Sequence, residues 1–263
     1  MASPSNTVVK ICGVRSVEAA AAAVESGADV IGMIFAPSPR LIGMETAQAI
    51  AREIRQDSSD SLVMEALDAG IPRTATASEF FAARGAQLFG GQRRRPLLAG
   101  VFQNQPLEHI LEVARQVPLD LVQLHGTEDV ELAQKIPVPV IKVFHIDDGF
   151  SVDGGELFRT FCHSVILLDT KVAAAGQQQG GHGVCFDWTI AGKLAAKGVP
   201  FLMAGGLTPA NVREAVECGR PWGVDVSSGV ETDKVKDPAK IQAFVDGARC
   251  GVAFLSSTVE SEE

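Results

Sequence analysis

Residues 201–229 read FLMAGGLTPANVREAVECGRPWGVDVSSG. Phe201–Ala204 is apolar without alternation, and Gly205 and Gly206 interrupt it. Thr208-Pro209 then opens ANVREAVECG, whose apolar residues fall at helical spacing up to a stop at Gly219. A second short run, GVDVSSG, begins at Gly223. A strand that is apolar at nearly every position is covered on both faces, and such strands belong to parallel sheets. The stretch is therefore one strand, one crossover helix and the next parallel strand.

The same unit recurs outward in both directions. Runs rich in Val, Ile and Leu begin at Val8 (VVKIC), Val30 (VIGMIF), Leu97 (LLAGVF), Leu121 (LVQLH), Val140 (VIKVF) and Val165 (VILLD). Helical spacing lies between them. Ser16 precedes VEAAAAAVESG, Gly27 stops it, a second helix is expected from Met44 to Gln56, and Glu128 precedes DVELAQKI. Strand starts are mostly about 20 to 35 residues apart, the length of one β/α unit. Eight units and a last helix from Asp237 to Arg249 predict a single-domain α/β fold, a (β/α)₈ TIM barrel over residues 7–250.

One interval is too long: 67 residues separate Val30 from Leu97. The surplus, at about 57–96, lies between the second helix and the third strand. It opens on DSSDS and closes on GGQRRRP, which reads as an insertion with exposed ends. Its composition favours a solvated surface loop without a role, and SEFFAARGAQLF within it is the alternative of a short amphipathic helix. Residues 251–263, ending SSTVESEE, read as a solvated acidic tail.

Composition excludes several partner classes. The 263 residues carry 23 Lys and Arg against 32 Asp and Glu, a formal net charge of −9. That balance argues against nucleic acid and anionic membrane as partners, although backbone N–H groups can still hold a single phosphate. Five cysteines, an odd number with no C-x-x-C pair, signal neither a disulfide framework nor a zinc site. With no basic-then-apolar start and no run long enough to span a bilayer, a cytosolic setting is expected. Monomer and homodimer both remain open.

Barrel chemistry sits at the C-terminal ends of the strands. The polar residues there are Lys10 and Cys12, Arg40, Gln123 and His125, Asp169 and Lys171, then Gly205, Gly206, Asp225, Ser227, Ser228 and Gly229. Loops after the seventh and eighth strands commonly hold phosphate, and both are Gly- or Ser-rich here, which a pair of tight turns would also require. GQQQGGHGVCFDW, with Gly180, Gly181 and Gly183, lacks the third glycine of a dinucleotide fingerprint and reads better as a flap over a ligand. A thiolate at Cys12 can act as a base and a carboxylic acid at Asp169 as a proton donor, if their surroundings move reference pKa values of about 8.5 and 3.9 in opposite directions. Read alone, Cys12 is equally a small buried hydrophobe and Asp169 a helix cap. His125 can orient or bind a substrate, or serve as a hydrogen-bonded structural histidine.

KICG (Lys10–Gly13), GADVIGMIF, VQLHG (Val122–Gly126), LLDT (Leu167–Thr170), GGHGVCFDW, LMAGGLTPANV and GVDVSSGVE followed by VKDPAKI stand in this order along the chain. Outside the insertion and the termini the chain resembles the phosphoribosylanthranilate isomerases of tryptophan biosynthesis. The resemblance implies an isomerase without cofactor or metal, performing an Amadori rearrangement on a small phosphorylated substrate. It implies Cys12 as general base, Asp169 as general acid and Arg40 on the anthranilate carboxylate. Phosphate would rest on Gly205, Gly206, Ser227, Ser228 and Gly229, with Gly181 and Gly183 from the flap. Bacterial members pass from the second helix to the third strand in a few residues, so the insertion points to a fungal lineage. Two alternatives stay beside this reading. One is a related sugar-phosphate isomerase, which would carry an aspartate in place of Cys12. The other is a catalytically inactive phosphate-binding barrel that serves as a binding module.

Overall fold

The computed structural model describes residues 7–55, 64–90, 95–146, 150–153, 155–170 and 188–259, with residues 65, 170, 189 and 251–259 as backbone only. Eight parallel strands close into a barrel in chain order. They are β1 (Val8–Cys12), β2 (Val30–Ile34), β3 (Leu97–Phe102), β4 (Leu121–Leu124), β5 (Val140–Ile146), β6 (Val165–Thr170), β7 (Phe201–Ala204) and β8 (Gly223–Val226). All eight begin at the residues their apolar runs mark. Strand β1 pairs with β2 through Lys10↔Val30 and with β8 through Val9↔Val224, which closes the ring.

Helices α1 (Val17–Glu25), α2 (Met44–Arg55), α3 (Met64–Ala69), α4 (Ala77–Phe89), α5 (Leu107–Gln116), α6 (Trp188–Ala196), α7 (Val212–Gly219) and α8 (Pro238–Val259) follow in order. Ser16 caps α1 as expected, its side chain accepting from Ala19 N–H. Among the described residues no helix is long and apolar enough to cross a membrane.

Local expectations change in four places. The segment after β4 is a 3₁₀ turn, Val130–Lys135, capped by Asp129. Glu128, expected to open a helix there, instead accepts from Asn104 N–H (2.6 Å) and Gly126 N–H (2.8 Å) and pairs with Lys142 (3.2 Å). Gly219 is the last residue of α7, and the left-handed turn falls on Arg220 at φ 46°. Gly219 serves packing, since a Cβ there would lie 3.2 Å from the Met203 sulfur and 3.3 Å from Ala191 Cβ. Helix α8 continues to Val259, past the expected end at Arg249 and through most of the segment read as a tail.

The largest correction is the insertion. Residues 64–90 form α3 and α4, and α4 has a reciprocal capping box between Thr76 and Glu79. Phe80, Phe81 and Leu88 are buried, so this is no solvated loop. Phe80 packs on Phe161 (4.6 Å between ring centroids), Phe81 on His163 (5.1 Å) and Phe89 on Trp222 (5.3 Å). Leu67 and Leu88 join Val8, Val30, Leu97, Leu121 and Val165, the first inward residues of their strands, in one cluster. The insertion thus plugs the barrel floor, the end to which an α-to-β connection delivers the chain. Arg55 and Arg95, on either side of it, both pair with buried Asp120 (2.8 and 2.7 Å).

Candidate active site

Period-two alternation turns every second strand residue inward. Above the floor, a middle layer contains Lys10, Gly32, Gln123 and Asp225. The top layer contains Cys12 from β1, His125 just beyond β4, His145 from β5, Asp169 from β6 and Ser227 just beyond β8. The two residues proposed for acid–base chemistry therefore share the mouth of one barrel, on strands separated by β7 and β8.

Beneath Cys12 lies a buried ion pair. Lys10 is 0% exposed, and its Nζ is 3.0 Å from Asp225 Oδ1. Burial alone would push this ammonium down, but Asp225 and Cys12 reverse the balance and its pKa is raised. Burial pushes the Cys12 thiol up, Lys10 opposes it, Asp225 adds to it, and Lys236 opposes it again. Gly32 makes room for the arrangement: a Cβ there would lie 2.9 Å from Cys12 Sγ and 3.1 Å from Lys10 Nζ.

Asp169 is held by a different chain of groups. Gln123 Nε2 donates to His125 Nδ1 (2.9 Å), which puts the ring proton on Nε2, 3.3 Å from Asp169 Oδ2. His145, in register with Asp169, donates from Nε2 to the His125 carbonyl (3.0 Å). Sequence reading gave His125 no definite role and missed His145. The inward parity shared with Asp169 is the signal that finds both.

Arg40 reaches the mouth, its Cδ 2.7 Å from where a Gly13 Cβ would stand. Its guanidinium is already engaged, since Nε and Nη2 donate to Glu231 (2.7 and 2.8 Å). Lys236 donates to the same carboxylate (3.0 Å) and to the Ser227 carbonyl (2.8 Å). Arg40, ahead of the effect of burial, together with Lys236 holds the Glu231 carboxyl down at about 2. Glu231 and Lys236 belong to a small hairpin, β9 (Glu231–Thr232) and β10 (Val235–Lys236), turned by Asp233 and Lys234 at φ 51° and 64°. This hairpin was not anticipated.

The two glycine-rich loops meet. A Cβ on Gly229 would lie 1.9 Å from the Leu207 carbonyl oxygen, so only glycine lets the loop after β8 rest on the loop after β7. Gly205 and Gly206 take φ 94° and 65°. Ser227 Oγ is buried without a hydrogen-bond partner among the described residues, close to Gly13 and Arg40. Lys171, Gly180, Gly181 and Gly183 lie outside the described residues.

Known proteins resemble this chain in sequence and in fold. A family model described as N-(5'phosphoribosyl)anthranilate (PRA) isomerase matches residues 55–247. An N-(5'-phosphoribosyl)anthranilate isomerase of Roseiflexus castenholzii is 40% identical over 243 residues, covering 92% of this chain and 98% of that protein. A multifunctional tryptophan biosynthesis protein of Phycomyces blakesleeanus is 41% identical over 254 residues, covering 92% of this chain. The chain spans 32% of the Phycomyces protein and 49% of a tryptophan biosynthesis protein of Phytophthora nicotianae. Among solved structures, phosphoribosyl anthranilate isomerase from Thermotoga maritima has a TM-score of 0.65 at 33% identity, covering 92% of this chain and 98% of that one. A phosphoribosyl anthranilate isomerase solved with reduced 1-(o-carboxyphenylamino)-1-deoxyribulose 5-phosphate gives 0.63 at 31%, with the same coverage.

Proposed function

The chain belongs to the N-(5'-phosphoribosyl)anthranilate isomerase family, and we propose from that premise that it converts N-(5-phosphoribosyl)anthranilate to 1-(2-carboxyphenylamino)-1-deoxyribulose 5-phosphate in tryptophan biosynthesis. The observation that carries this reading is the shared top layer of Cys12 and Asp169, with the Lys10–Asp225 pair beneath the first and His125 Nε2 at 3.3 Å from Oδ2 of the second.

Asp169 is the general acid. His125 Nε2 lies 3.3 Å from Oδ2, and Oδ1 delivers a proton to the furanose ring oxygen. The C1′–O bond breaks as the anilino nitrogen lone pair forms a protonated imine. Cys12, as thiolate, then removes the C2′ proton, and the electron pair moves toward the imine to give an enolamine. Its tautomerisation to the ketone shifts the hydroxyl proton to C1′, so no proton is gained or lost overall. Burial disfavours the thiolate, but the protonated imine adds a cation beside the sulfur at the step that needs it.

Arg40 receives the anthranilate carboxylate on Nη1, the nitrogen that Glu231 leaves free to turn to the mouth. The phosphate lies on the backbone of Gly205, Gly206, Ser228 and Gly229 and on Ser227 Oγ, with Gly181 and Gly183 of the flap adding donors. The unpartnered Ser227 Oγ and the touching loops support this assignment. A cytosolic setting belongs to the same proposal.

The test is the loss of phosphoribosylanthranilate fluorescence on adding purified protein. No turnover above the uncatalysed rate would remove the isomerase assignment and leave a binding module.

A further inference from the structure

Lysine is among the residues least often fully buried, because its ammonium loses its hydration unless a partner compensates. Lys10 sits in the middle of the barrel with no exposed surface, one layer beneath the atoms assigned to the chemistry. A residue needed only for stability could be replaced there by a pair of apolar side chains at little cost. The ion pair with Asp225 engages one of its three N–H donors (3.0 Å). The rest of its Nζ borders the space kept open by Gly32. Cys12 Sγ borders the same space, 2.9 Å from the point that Nζ approaches at 3.1 Å. The two atoms therefore lie within about 6 Å of each other, with no water-facing surface on the lysine.

We propose that Lys10 is a positioning residue for proton abstraction: its ammonium, fixed by Asp225, stabilises the thiolate of Cys12 directly above it. This rests on Cys12 being the base. Asp225 has two effects. It keeps Lys10 charged in a dry site, and its own negative charge acts against the thiolate from behind the ammonium, less than the Lys10 charge acts for it and more than Lys236 does. Among the described residues, four charged side chains act on the sulfur: Lys10 from its own strand, Asp225 from β8, Lys236 from β10 and Arg40 from the loop after β2. Of the cations acting on Cys12, Lys10 has a larger effect than Lys236. Lys236 and Arg40 are both committed to Glu231, which leaves Lys10, among the described residues, as the cation whose charge is directed at the sulfur.

The test titrates the Cys12 thiolate by its ultraviolet absorbance, with the matching Cys12→Ser protein subtracted so that the remaining cysteines cancel. The backgrounds are wild type, Lys10→Met with Asp225→Asn, and Lys10→Gln alone. The double variant exchanges the ion pair for a neutral pair of similar volume, and Lys10→Gln keeps an amide on Asp225. In each, the thiol midpoint should rise by about one pH unit or more, a tenfold fall in thiolate below the midpoint. The acidic limb of the kcat–pH profile should move up in step, which a purely structural lysine would not cause. A midpoint that stays within about 0.3 unit of wild type, or falls, overturns the proposal. Wild-type turnover in Cys12→Ser would instead strike the base assignment itself, whatever the midpoint does.

Discussion

If the insertion is structural, the substitution Leu88→Ala should unfold the protein at a much lower temperature without slowing the enzyme. Leu88 is 0% exposed and meets the first inward residues of several strands across the barrel floor. Removing three carbons from such a site loses their transfer free energy and leaves a cavity that rigid strands cannot collapse around. Substitutions of this kind cost about 2 to 5 kcal/mol, and the middle of that range is the expectation here. For a domain of this size each kcal/mol lowers Tm by about 2 to 4 °C, so a fall of roughly 7 to 14 °C is expected. The chemistry is at the opposite end of the strands, so kcat should stay within about twofold. Circular dichroism during heating, paired with fluorescence turnover below the transition, reads both quantities. Ala86→Ser, on the exposed face of α4, is the control and should change stability by less than about 0.5 kcal/mol. If Leu88→Ala behaves like this control, the insertion contributes nothing to the floor and the packing argument fails.

Cys12→Ser and Asp169→Asn should each lower kcat by about 10²-fold or more, with KM changing much less; preserved kcat in either removes that residue from its role. Arg40→Lys keeps the charge but loses the fork shared with Glu231, so KM should rise about tenfold while kcat holds, and unchanged KM would move the carboxylate elsewhere. Gly229→Ala drives a methyl into the Leu207 carbonyl and should separate the two phosphate loops, weakening inhibition by phosphate-bearing product by about tenfold, as read by competition kinetics. His163 is buried between Phe81 and Phe144, and burial lowers its pKa from 6.5 to about 4. The fold thus favours the neutral ring while the unfolded chain takes up a proton below 6.5. Stability should be complete above that pH and fall by roughly 3 kcal/mol on acidification to 4. Urea midpoints across that range should lose this slope in His163→Phe, and an equal slope in both proteins would rule His163 out.

The strands were legible because each is a short apolar run, and a parallel barrel buries both faces of every strand. Inward parity was legible as well: once Asp169 is assigned to the mouth, counting by twos reaches Leu167 below it, and Cys12 leads to Lys10. What the sequence hid depends on distant partners. Nothing local says that Arg40 will meet Glu231, 191 residues away, or that the chain between Val230 and Asp237 turns back as a hairpin. Glu128 looks like a cap and instead binds loop amides, because Pro137 and Pro139 leave room only for a 3₁₀ turn before β5. The insertion misled by its polar ends. Its buried face is interrupted by Arg84, whose charge is met by Asp68 and whose guanidinium lies 5.4 Å over the Phe80 ring. A fully buried arginine breaks the apolar stripe by which an amphipathic helix is recognised.

The plug also has a place in time. Ser78 hydrogen-bonds to the Gly198 carbonyl across 120 residues, Phe80 meets Phe161, and Gly85 lies against Trp222. Each anchor is supplied by chain that follows β5, although α4 itself precedes β3. Loop closure over such separations is slow, and these contacts can form only after the last strands have found their neighbours. A nascent or refolding chain would therefore pass through a stage in which the ring is nearly complete and its lower end is still open to water. Substitutions such as Leu88→Ala should then speed unfolding far more than they slow folding, because α4 docks after the rate-limiting ordering of the strands.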